Sequence, residues 1–106
     1  MRIISGYLKG RKINQPKDNS TRPLKDLTKE SIFNILQHSS FFSQDFNNSK
    51  VLDLFSGVGS FGLECISRGA SQVTFCENYP LALEILKKNV INLECEDKVK
   101  ILNKDI

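Results

Sequence analysis

Apolar and polar positions divide the chain into segments of different period. Arg2-Ile3-Ile4-Ser5-Gly6-Tyr7-Leu8 is β-prone up to Lys9-Gly10-Arg11, and Ile13 follows before Pro16. That pattern predicts a short hairpin whose glycine-containing turn displays basic side chains. Asn14, Pro16, Asp18, Asn19, Ser20 and Pro23 crowd residues 14–24 with turn formers and predict a loop. Asp26 can accept from the orphan amides of a following helix, in which Leu27, Ile32, Phe33, Ile35 and Leu36 recur near helical spacing up to His38, a solvated residue at the negative end. Ser39 to Lys50 is polar apart from Phe41, Phe42 and Phe46, aromatics suited to plugging a joint between two subregions.

The character changes at residue 50. Val51-Leu52-Asp53-Leu54-Phe55 is a short apolar run ending in glycines, as buried parallel strands are. Phe61, Leu63, Cys65 and Ile66 mark a helix from Ser60 to Arg68, with Gly69 at the position of a C-terminal cap. Gln72 to Glu77 predicts a second strand with Val73 and Phe75 inward. Pro80 opens a helix through Leu83, Ile85, Leu86, Val90 and Leu93, and Val99 to Leu102 predicts a third strand. Strand, helix, strand, helix, strand at these spacings is a βαβαβ half-sheet of the α/β class. Residues 1–49 form a basic hairpin, loop and linker helix, and residues 50–106 a partial Rossmann-like domain.

The chain has 106 residues, 40% hydrophobic and 25% charged, which is one ordinary globular unit without room for several domains. Its apolar stretches are far short of the ~20 residues that span a bilayer, and Met1 to Ser5 contains no signal-peptide core, so a cytoplasmic location is expected. Cys65, Cys76 and Cys95 include no Cys-x-x-Cys pair, which predicts free, buried thiols and gives no metal site. Net charge is +3 and uneven. Arg2, Lys9, Arg11, Lys12, Lys17, Arg22, Lys25 and Lys29 face only Asp18 and Asp26 in residues 1–29, a local +6 that leaves −3 for the rest. A cationic front on a mildly acidic body suits a phosphate backbone.

Gly57-Val58-Gly59-Ser60-Phe61-Gly62 matches G-x-G-x-x-G directly after a predicted strand and at the start of a predicted helix, the context in which that motif cradles a nucleotide. Close helix-to-strand packing is the other use such glycines have. Glu77, 18 residues after Gly59 at the end of the next strand, can accept from both hydroxyls of a ribose. Asp53, four residues before Gly57, would repel a pyrophosphate but stabilise a ligand carrying ammonium and sulfonium, which favours S-adenosylmethionine over NAD. Asp105, just beyond the third strand, can accept from the adenine amine.

The run Asp53 to Gly62 resembles motif I of class I methyltransferases. Arg2-Ile3-Ile4-Ser5-Gly6, Lys9-Gly10-Arg11, Thr21-Arg22-Pro23, Asp26, and Glu30 with Phe33-Asn34-Ile35-Leu36 are similar to the amino-terminal extension of bacterial 16S ribosomal RNA guanine-N2 methyltransferases, and Ser67-Arg68-Gly69-Ala70 fits the same pattern. The resemblance implies methyl transfer from S-adenosylmethionine to the exocyclic amine of a guanine in small-subunit rRNA. That amine is a poor nucleophile, so such an enzyme extrudes the base and holds the amine in line with the methyl. It implies cofactor contacts from Asp53, Phe55, Ser56, Gly57, Gly59, Glu77, Asn78 and Asp105, and RNA contacts from Arg2, Lys9, Arg11, Lys12, Arg22 and Lys25. In the family an Asn/Asp-Pro-Pro-Tyr segment after the fourth strand carries the chemistry. Residues 1–106 contain no such segment, so no catalytic residue is assigned and these residues alone are expected to be inactive. The strand Val51 to Phe55 would then have a free apolar edge, through which two chains can pair. Two other readings compete: a catalytically silent RNA- or cofactor-binding protein, and a small-molecule methyltransferase or NAD-binding half-domain, which leaves the basic hairpin unexplained.

Overall fold

The computed structural model describes residues 1–16, 26–38, 46–54 and 56–104. Arg2 faces Lys12 in an antiparallel bridge, and Ile3 N donates to Arg11 O (2.9 Å), Gly10 N to Ile3 O (2.8 Å) and Ile13 N to Met1 O (2.9 Å). The expected hairpin is therefore present, pinned by one bridge rather than a long ladder. Its apolar residues Ile3, Leu8 and Ile13 turn inward while Lys9, Arg11 and Lys12 stay exposed. Helix α1 spans Asp26–His38 as expected. Phe33 is fully buried against Phe46 (5.2 Å between ring centroids) and Phe61 (4.9 Å), so Phe46 does plug the joint. Phe41 and Phe42, residues 17–25, which include most of the stretch 14–24 expected as a loop, and the side chains of Asp26 and His38 lie outside the described residues.

The second region runs β1 (Lys50–Asp53), α2 (Ser60–Ser67), β2 (Gln72–Cys76), α3 (Pro80–Asn92), a 3-10 turn (Glu96–Lys98) and β3 (Val99–Leu102). All three strands are parallel in the order β1-β2-β3, with Asp53 opposite Phe75 and Phe75 opposite Ile101. This is the expected α/β arrangement, a parallel βαβαβ half-sheet of Rossmann-like form. Strand order moves in one direction, so right-handed crossovers carry both helices over the same face. Val73 and Phe75 on that face are fully buried, whereas Leu52 on the other is 60% exposed. The strands are shorter than the apolar runs suggest. Leu54 already belongs to a turn, and regular β2 stops at Cys76, although Glu77 N still donates to Leu102 O (3.1 Å).

Packing demands specific residues here. A Cβ at Gly62 would collide with the Phe75 ring, so α2 can approach the sheet only through a glycine. Gly69 follows α2 and donates to Ile66 O (3.0 Å), closing the helix as expected, and Pro80 occupies the first turn of α3. Hairpin, linker helix and half-sheet share one hydrophobic cluster that includes Ile3, Ile13, Phe33, Leu63, Val73 and Leu86. All three cysteines are free and buried within the described region.

Candidate functional site

The glycine loop leaves β1 at its carboxyl end and turns into α2. Gly57 (φ 54°) and Gly59 (φ 94°) both adopt left-handed conformations that side chains resist. A Cβ at Gly59 would lie 2.5 Å from Leu86 Cδ1, so the protein's own packing already requires this glycine. The loop amides have partners inside the chain: Ser56 N donates to Cys76 O (3.2 Å), Gly57 N to Glu77 Oε1 (2.7 Å) and Gly59 N to Ser56 O (2.9 Å). Ser56, Gly57 and Gly59 therefore offer a ligand a shaped, close-approaching backbone rather than these three donors.

Glu77 stands beside this loop at the end of β2, where the sequence expects it. Its Oε1 accepts from Gly57 N, and its Oε2 accepts from Tyr79 N (3.0 Å) and Asn78 N (3.2 Å). A carboxylate offers about four acceptor positions, and three are occupied. Two ribose hydroxyls need two, so the long Asn78 contact has to be shared or displaced. Glu77 thus joins the loop after β1 to the start of α3. Ser60 Oγ, at the amino terminus of α2, is buried and has no hydrogen-bond partner, and such an orphaned polar atom next to the loop fits a site built to receive a polar ligand.

Asp53 ends β1 on the face that α2 covers, half-buried. Cys65, on α2, has its thiol pushed up to about 12 by burial first and then by the charges of Asp53 and Glu64. Burial, with Glu96 and Asp97, raises Cys95 to about 11. Neither thiol is a nucleophile near neutral pH. Phe55 and Asp105, assigned to the cofactor by the sequence, lie outside the described residues, as do Arg22 and Lys25 on the RNA side.

The basic hairpin sits away from this cleft. Tyr7 N donates to Ser67 O (3.0 Å) and Leu8 N to Ser67 Oγ (3.0 Å) at the far end of α2, seven residues or ~10 Å along the helix axis from Ser60. Arg2 and Arg11 donate to backbone carbonyls of Gly10 (2.7 Å) and Asn92 (2.7 Å), bracing the hairpin while remaining exposed. Lys29, counted among the surface cations in the sequence, is fully buried. Its Nζ lies 3.2 Å from Glu64 Oε1 and donates to Arg2 O (3.0 Å), so burial and ion pairing remove it from the cationic front.

Two residues that the sequence did not single out connect these parts. Glu64, fully buried, also accepts from Ile4 N (2.9 Å), Ser5 N (3.0 Å) and Arg68 Nε (2.8 Å), and Arg68 in turn lies over the Phe33 ring. Asn89, fully buried on α3, bonds both the glycine loop and the segment after the hairpin. A charged or amide residue on the inner stripe of each helix was the available signal.

A protein-family model described as Conserved hypothetical protein 95 matches residues 1–106. The Haemophilus influenzae protein named Ribosomal RNA small subunit methyltransferase D is 36% identical over 104 residues, 97% of this chain and 51% of that protein. An Escherichia coli structure described as "Putative methyltransferase yhhF" superposes with a TM-score of 0.81 at 30% identity, covering 99% of this chain and 52% of that one. The structure of Pyrococcus horikoshii TYW2 in complex with MeSAdo aligns at a TM-score of 0.53 and 25% identity over 59% of this chain and 24% of its own. The chain spans about half the length of the curated relatives it matches.

Proposed function

The chain belongs to the Conserved hypothetical protein 95 family, and from that premise we propose that it is the cofactor-binding and RNA-facing portion of an rRNA methyltransferase. The cofactor is S-adenosylmethionine and the target is the exocyclic N2 of a guanine in small-subunit rRNA. The relatives' names and the MeSAdo-bound neighbour support the reaction class. The observation that carries the cofactor is Glu77 bonded to Gly57 N, because it sets a carboxylate beside a glycine turn at the carboxyl ends of two adjacent parallel strands.

S-adenosylmethionine, when bound, supplies a methyl group on a positively charged sulfur. The protein's part is to hold and orient. Glu77 accepts from the ribose, the tight backbone from Ser56 to Gly59 lets the ligand approach, and Asp53 contributes negative charge near the cationic end. Phe55, Asn78 and Asp105 complete the proposed contacts. Arg2, Lys9, Arg11 and Lys12, with Arg22 and Lys25, attract the phosphate backbone of the 16S rRNA or of an assembling small subunit. Residues 1–106 alone do not transfer the methyl, because their sequence contains no Asn/Asp-Pro-Pro-Tyr segment, the one to which the family resemblance assigns the guanine amine.

Calorimetric titration of the chain with S-adenosylhomocysteine and, separately, with NAD tests the cofactor. Saturable binding of the first and none of the second is expected, and the reverse preference would overturn the reading. Incubation with S-adenosylmethionine and small-subunit rRNA is expected to yield no N2-methylguanine. Methylation above background would show that the catalytic group lies within these residues.

A further inference from the structure

The side-chain amide of Asn89 has no exposure and makes three hydrogen bonds, all to backbone. Its Oδ1 accepts from Asn14 N (2.8 Å), while its Nδ2 donates to Asn14 O (3.2 Å) and to Val58 O (2.9 Å). Asn14 belongs to the segment leaving the basic hairpin, and Val58 is the middle residue of Gly57-Val58-Gly59. Each partner fixes the amide's orientation, since a backbone N–H must meet the oxygen and carbonyls must meet the NH2. An aspartate supplies no donor, and an apolar residue would leave three backbone groups without this partner, the Val58 carbonyl buried and the two of Asn14 part-buried. One turn earlier on α3, Leu86 is the residue that a Cβ on Gly59 would strike. Two successive inward residues of α3 therefore set the backbone of the loop at Val58 and Gly59.

We propose that Asn89 is a positioning residue for the cofactor: it locks the Val58 carbonyl and the Asn14 backbone in one fixed relation, so the glycine loop takes its binding shape when the segment behind the hairpin is seated. This rests on the reading that the loop holds S-adenosylmethionine. Asn89 touches no cofactor itself and acts through Val58. The two segments are 44 residues apart in sequence, and the amide couples them without a covalent link. Whatever displaces the segment at Asn14 releases the donor and the acceptor that orient Asn89, and with them its hold on the loop.

The test is Asn89→Asp, with S-adenosylhomocysteine binding measured by calorimetry at pH 8 and pH 5.5. At pH 8 the carboxylate faces two carbonyl oxygens, and affinity is expected to fall roughly 10- to 100-fold. A buried carboxyl among acceptors holds its proton more tightly than an exposed one, so at pH 5.5 it regains a donor and much of the affinity returns. The unmodified chain should change little between the two. Affinity within twofold of the unmodified chain at pH 8, or a deficit equal at both pH values, overturns the inference while leaving the cofactor reading intact. Failure of the unmodified chain to bind overturns both. Should the variant not fold, hydrogen exchange on the unmodified chain decides: saturating S-adenosylhomocysteine is expected to slow the Asn14 amide together with the Gly59 amide, and protection confined to the loop refutes the coupling.

Discussion

Glu64 illustrates how one side chain can organise a fold. Its two oxygens, themselves without solvent access, hold two hairpin amides, the fully buried Lys29 ammonium and the Arg68 guanidinium. Removing one member of such a buried group leaves uncompensated charge, a loss of about 3–5 kcal/mol. Glu64→Gln is therefore expected to lower the urea midpoint by an amount equivalent to about a third or more of the stability of a domain this size, and a loss below about 1 kcal/mol would show that the group is dispensable. Cys65 gives a prediction with a pH sign. Its thiol stays protonated in the fold to about 12, whereas the unfolded thiol ionises at the ordinary 9.0. The contribution is fully present below pH 9 and is lost as pH rises towards 12, because the unfolded chain alone releases the proton. Urea midpoints should decline across that window, and Cys65→Ala should flatten the decline. At neutral pH the thiol should resist alkylation until the chain unfolds.

Among the elements, α2 bears the strictest demands. Its amino end forms the glycine turn, its middle presses Gly62 against Phe75, and its carboxyl end receives the hairpin at Ser67. Gly62→Ala is expected to destabilise by about 1–3 kcal/mol through overpacking, even though alanine is the better helix former. Thermal unfolding measures it, and an unchanged or raised midpoint would mean the sheet yields at Phe75. The elements themselves were largely legible: helix spacing, Pro80 and Gly69 placed α1, α2 and α3 to within a residue or so. The strand ends were not. Val51 to Phe55 is apolar apart from Asp53, yet the ladder stops with Asp53 opposite Phe75 because the chain must turn for the glycine loop. Nor is the run buried as its apolar character suggested: Leu52 is 60% and Leu54 40% exposed, because only the face towards α2 is covered.

At the scale of the whole molecule, the half-sheet has one face covered by helices and the other exposing Leu52, with Leu54 beyond it in the following turn. Within the described residues β1 pairs only with β2, and beside it lies a cavity of about 450 Å3 bordered by Leu36, Phe46, Val51, Leu52 and Phe61. A strand edge that no described residue pairs, next to apolar surface, is one that a second copy of residues 1–106 can take. Sedimentation at micromolar concentration is expected to show dimers that Leu52→Lys disperses. A compact monomer for the unmodified chain would refute the pairing.

By itself the sequence determined the α/β class, the order of elements and the place of the glycine loop and Glu77 at the strand ends, because periodicity, turn residues and the glycine motif act over a few neighbours. Tertiary structure alone decided that Lys29 is a core cation rather than a surface one, that Glu64 and Asn89 join segments tens of residues apart, and that the hairpin lies two helical turns from the cleft. The physical reason is that burial turns an ordinary polar residue into a directional one. Once water is excluded, each such group must find its partners within the protein, and which partners are within reach depends on the fold rather than on proximity along the chain.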